Sequence, residues 1–76
     1  MPTLQRFAQC VIKVNVRDHL PPHFHVVMND GRDALVEIDT LAVTGNRIRR
    51  SELVEPLAWA ARNKSLLRAK FKECNT

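Results

Sequence analysis

All three histidines of the chain, His19, His23 and His25, fall within seven positions, and His23 and His25 directly follow Pro21-Pro22. Alternate residues of a strand point to one face, so His23 and His25 set two imidazoles side by side, roughly 6 to 7 Å apart at Cα. Three chemistries fit such a pair. Two imidazoles can converge on a metal with a carboxylate such as Glu37 as a third ligand. Structural zinc takes four ligands, however, so the pair alone assigns no metal ligand and no cofactor is expected. Imidazoles also titrate near neutrality and can exchange protons with a ribose hydroxyl and a leaving oxygen. In that reading His23 and His25 form the acid–base pair of a metal-independent ribonuclease and Glu37 orients one ring. His19, Lys13, Asn15 and Arg17 then lie on the same face or its rim, where the cations would hold phosphate. In the third reading the histidines are polar residues on the wet side of a sheet, one of them an ordinary cross-strand partner of Glu37.

The flanking residues define the elements that carry this pair. Cys10-Val11-Ile12-Lys13-Val14-Asn15-Val16-Arg17 alternates with a period of two. It predicts a half-buried strand with Cys10, Ile12, Val14 and Val16 inward and Lys13, Asn15 and Arg17 outward. Pro21 and Pro22 lack N–H donors and make a stiff connection. A second strand follows, with Phe24, Val26 and Met28 on the dry face and His23, His25 and Val27 on the wet one. A third has Ala34, Val36 and Ile38 inward and Asp33, Leu35, Glu37 and Asp39 outward. Asp30-Gly31 suggests a two-residue turn, but that register sets inward Met28 against outward Asp33. A three-residue loop, Asn29-Asp30-Gly31, restores parity, gives Gly31 the left-handed position and faces His23 with Glu37. A five-residue loop also keeps parity and faces His25 with Glu37.

Residues 41–46 offer a short fourth strand or an irregular crossing. Ser51 is a candidate N-cap with Glu52 and Glu55 near the helix start. Pro56 disturbs that first turn or moves the start to about Glu55. Leu53, Leu57, Ala60 and Ala61 form the apolar stripe, with Trp59 beside it. Asn63 is placed to end this helix and Ser65 to cap a second one lined by Leu67, Phe71 and Cys74. The expected fold is α+β in the order β-β-β-α-α: a three- or four-stranded antiparallel sheet with two C-terminal helices on one face, in a single domain spanning 1–76.

With 76 residues the core is modest, so a protein partner or a homodimer is expected to add stability. The net charge of +4, from 12 Lys+Arg against 8 Asp+Glu, permits nucleic acid or an acidic partner without demanding either. The connector residues Arg47, Arg49 and Arg50 are the candidate contacts, against the reading that they are solvated surface charge. The two helices are needed to cover the sheet, which argues against a helix-turn-helix, and the wet strands lack aromatic residues for base stacking. Cys10 and Cys74 have no CxxC spacing; Cys10 reads as a buried apolar residue and Cys74 as an exposed tail thiol, both reduced. No apolar run reaches membrane-span length and no apolar stretch follows Met1-Pro2-Thr3-Leu4-Gln5-Arg6, so no leader, no membrane contact and a cytoplasmic location are expected.

The residues "RDHLPPHFHV", Gly31, "ALVEIDTL", Gly45, Trp59 and Leu66-Leu67 resemble, over nearly the whole chain, the small bacterial family called domain of unknown function 4160. Pro56 in the first helix and Phe71, where a tryptophan would be expected, depart from its pattern. The resemblance implies no established activity. Genes of the family often neighbour another small family containing a helix-turn-helix, which implies a nearby-encoded protein partner in a toxin–antitoxin-like pair. The expected function is therefore an interaction module, with the ribonuclease-like enzyme and the metal-binding protein as alternatives.

Overall fold

The central element is a hairpin of β3 (His23–Met28) and β4 (Asp33–Glu37), paired His23↔Glu37, Phe24↔Val36 and Val26↔Ala34. This is the three-residue-loop register: the Met28 N–H donates to the Arg32 carbonyl at 2.7 Å and the Gly31 N–H to the Met28 carbonyl at 3.0 Å. Gly31 sits at φ +97°, where an L side chain is strained. The five-residue alternative is thereby excluded. The coordinates are a computed structural model that describes residues 3–16, 19–45 and 47–75.

β2 (Cys10–Lys13) pairs with the other edge of β3, Cys10↔Met28 and Ile12↔Val26, so their inward residues share one face. The strand is shorter than its alternation implies. Val14 stays buried, but Val16, expected inward, lies in a turn and is 55% exposed. Arg17 lies outside the described residues. Two strands complete the sheet. β1 (Thr3–Arg6) pairs antiparallel with β2, with a bulge between Thr3 and Gln5. β5 (Val43–Thr44) pairs with β4 and is the short strand anticipated after Leu41. The antiparallel sheet therefore has five strands in the order β1-β2-β3-β4-β5, not three or four. β1 carries no alternation; only the β2 edge beside it makes those residues a strand.

A 3-10 turn (Arg50–Leu53) leads into α1 (Val54–Arg62) and then α2 (Lys64–Cys74). Ser51 caps neither element, contrary to expectation; it lies inside the 3-10 turn. The α-helix proper starts at Val54, so Pro56 is its third residue, where the missing N–H costs no intrahelical bond. Asn63 both ends α1 and precedes α2, and its Nδ2 donates to the Trp59 carbonyl at 2.8 Å. Ser65, expected as the second cap, is within the first turn of α2.

Both helices cover the dry face. Ile12, Val14, Phe24, Val26, Val36 and Ile38 meet Leu53, Ala60, Leu67 and Phe71 in one core. Each large side chain fully buried there contributes roughly 1.5–3 kcal/mol. Two details differ from the expected stripes: Ala61 is exposed and Pro56 takes a buried place. Cys74 lies on its expected stripe, half-buried against the core, and is not the exposed tail thiol of the other reading. Burial pushes the Cys10 thiol up, with the Glu55 charge adding to it, which keeps it an unreactive core residue. No helix among the described residues is long and apolar enough to cross a membrane.

Arg32 ties the β3–β4 loop to the start of the helical layer. Its Nε donates to Asp30 Oδ2 at 2.9 Å, its Nη2 to Glu52 Oε2 at 2.8 Å, and its Nη1 to the Arg47 carbonyl at 2.9 Å. The Arg32 backbone N–H and then its guanidinium hold Asp30 below the usual carboxylate range. The guanidinium's hydrogen bond does the same for Glu52. Folded values below the unfolded ones mean that this stabilisation is present above about pH 4 and is lost as pH falls through the depressed values. Arg32→Met is expected to lower the melting temperature at pH 7 and to flatten its decline between pH 5 and about pH 2. Melting curves across that range test it; a decline as steep as that of the wild type would overturn the assignment.

Candidate functional site

The histidines gather at the end of β3 where the proline connection enters the sheet. The Leu20–Pro21 peptide bond is cis, and the Pro22 carbonyl accepts the Ile38 N–H at 3.1 Å. The hydrogen bond ties the residue just before His23 to the residue just after β4. His23 departs from the alternation. It was expected on the wet face, yet it is 1% exposed, with its ring centroid 5.5 Å from that of Phe71 on α2. His23 Nδ1 lies 2.8 Å from the Pro21 carbonyl. A carbonyl only accepts, so Nδ1 carries the proton and the tautomer of the neutral ring is set.

The other two rings flank this buried one. The exposed His19 is centred 5.0 Å from it and the half-buried His25 5.2 Å from it. His25 faces Lys13 on β2 and Leu35 on β4. Its Nε2 is 3.0 Å from Asn15 Nδ2. An amide can donate to a bare ring nitrogen or, turned over, accept from a protonated one, so this contact serves both charge states of His25. Asn75 at the end of α2 bonds the Phe71 carbonyl at 2.8 Å and the Asn15 carbonyl at 3.4 Å, tying the helix to the segment that carries Asn15.

The structure thus brings His19, His23, His25, Lys13 and Asn15 together. Glu37 lies opposite His23 in the ladder, but among the described residues no hydrogen bond or ion pair joins its carboxylate to an imidazole. The His23 ring has turned to Phe71 and Pro21. Arg17 lies outside the described residues. Arg47, Arg49 and Arg50 are exposed, and no hydrogen bond or ring contact among the described residues joins them to the histidines. The Arg47 carbonyl is held by Arg32, which follows the other end of β3, and six residues of strand separate its two ends by about 17 Å. Among the described residues no group of three or more His, Cys, Asp or Glu side chains is placed to hold a metal.

Sequence reasoning missed Phe71 and Asn75 as parts of this site, because helix and strand meet only in the fold. It also missed the exposure of Val16 and Leu20, which are 55% and 73% exposed on the connection that carries His19. The proline pair after Leu20 was the available sign that the alternation would stop there.

The family model described as "Domain of unknown function (DUF4160)" matches residues 10–72, and the chain belongs to that family. No curated protein and no solved structure matches it. The match spans β2 through nearly all of α2 and so includes every described residue of the histidine cluster except Asn75.

The His23 geometry has a direct spectroscopic consequence. Long-range proton–nitrogen NMR at a pH where the ring is neutral is expected to show His23 protonated at Nδ1. His23→Ala, which removes a buried ring and its bond, is expected to cost about 2–4 kcal/mol, while His19→Ala stays within about 0.5 kcal/mol. An Nε2-protonated His23, or equal costs for the two variants, would contradict the placement of the rings.

Proposed function

We propose that the chain is an interaction module that works in complex with a protein partner, as one half of a cytoplasmic, toxin–antitoxin-like pair. The observation that carries this reading is the pair of exposed apolar side chains, Val16 and Leu20, on the segment that joins β2 to β3. Leu20 immediately precedes two prolines, so its backbone is stiff and less entropy is lost when a partner covers it. The histidine rings beside it add polar contacts to an apolar anchor, the usual make-up of a small interface. Co-expression with the product of the adjacent gene is expected to give a complex through size-exclusion chromatography, and Leu20→Ser is expected to weaken it at least about tenfold without lowering the melting temperature. A chain that captures no neighbouring product, or a complex indifferent to Leu20→Ser and Val16→Ser, would overturn the reading.

The ring contacts favour a second reading, acid–base cleavage of RNA. Here His23, being buried, positions its neighbours, and His19 and His25 are the rings that reach solvent. One neutral imidazole would take the proton of a ribose 2′-hydroxyl, whose oxygen attacks the phosphorus. A protonated imidazole would give its proton to the departing 5′-oxygen, leaving a cyclic phosphate. Lys13, opposite His25, would hold the phosphate. Synthetic RNA incubated with the folded chain should then yield cyclic-phosphate ends, lost in His25→Ala. Intact RNA would remove the enzyme reading and leave the interaction module standing.

A further inference from the structure

The face of the sheet that the helices do not cover carries an ordered charge pattern. Ladder partners share a face, so Arg6, Val11, Val27 and Asp33 form one row across β1 to β4. Thr3, Lys13, His25, Leu35 and Thr44 form the next row, across all five strands. The cations Arg6 and Lys13 therefore lie on β1 and β2. The carboxylates Asp33 and Glu37 lie on β4. Val11, Val27 and Leu35 lie between them and are half-buried, and among the described residues the helical core residues pack on the opposite face.

From this order we infer that the uncovered face is the contact surface for a second copy of the chain. The inference goes beyond the partner reading, which uses the segment between β2 and β3. A two-fold axis parallel to the strands, running over β3 between two such faces, sets β1 and β2 of one copy over β5 and β4 of the other. Arg6 then stands one strand spacing from the other copy's Asp33, and Lys13 lies over its Leu35, between Asp33 and Glu37; each contact occurs twice, and Val27 and His25 lie next to their own copies on the axis. The alternative axis, across the strands, sets like charge over like and is disfavoured by the same pattern. A contact of this kind is isologous and closes at two copies. The face has only a few apolar residues and is at the small end of interface sizes, so the dimer dissociates at micromolar concentration and is weakened by salt.

Sedimentation equilibrium of the full chain, from low micromolar to millimolar concentration, tests this with a charge swap. Arg6→Asp is expected to weaken dimerisation about tenfold, since by symmetry it turns two attractions into repulsions. Arg6→Asp combined with Asp33→Arg is expected to restore it. Within one copy these residues stand three strand spacings apart, about 14 Å, so rescue cannot come from an internal ion pair. Val27→Lys, which puts two ammonium groups together at the axis, is expected to abolish the dimer, and Arg62→Asp on the helical side to leave it unchanged. Melting temperatures confirm that each variant folds. A monomer at all concentrations, a dimer indifferent to the face variants, or a double swap no better than the single one would overturn the inference. A monomer that still binds the adjacent gene's product would overturn it alone and leave the partner reading intact.

Discussion

The structure depends on the parity of one loop. Three residues between β3 and β4, the last of them Gly31 at φ +97°, decide that Phe24, Val26, Ala34 and Val36 all lie on the same side. Adding or removing a single residue would turn one strand over and place Asp33 among the core side chains. Because β2 continues the same alternation, the loop also decides which face the helices cover. It equally decides which row of charges is left in water.

The helical layer follows from that choice. α1 and α2 are short, and in isolation helices of their length are marginal. Their stability comes from laying Leu53, Ala60, Leu67 and Phe71 on the face the hairpin presents. The layer is then locked from its rim. Arg32 joins the loop to the 3-10 turn, and Arg68 reaches Asp39 after β4 at 2.8 Å, an exposed pair that aligns more than it stabilises.

At the other end of β3 the same packing creates the histidine cluster. Phe71 draws the His23 ring out of water, and the Pro21 carbonyl compensates for the lost hydration of its Nδ1–H. A buried polar ring held by a backbone bond and by ring contacts to His19, His25 and Phe71 is a rigid base for its neighbours. His19 and His25 therefore stand at fixed places on the surface beside the exposed Leu20, a setting suited to recognition and, in the second reading, to proton transfer.

The residues alone determined the strands with period-two alternation, the odd parity of the loop between β3 and β4, the helix order and the family membership, while the choice of three loop residues over five came from the fold. These rest on local patterns that one segment carries by itself: Val and Ile at alternate positions, Gly where φ is positive, prolines where a strand must stop. The fold decided what depends on neighbours distant in sequence. β1 is a strand because β2 offers it an edge. Ser51 is no cap because Pro56 sits more comfortably near the start of a helix beginning at Val54. His23, polar and on the wet side by counting, is buried because Phe71, 48 positions later, lies against it. Side-chain burial is set by the whole surface around a residue, and alternation along one strand describes only the part of that surface contributed by the strand itself.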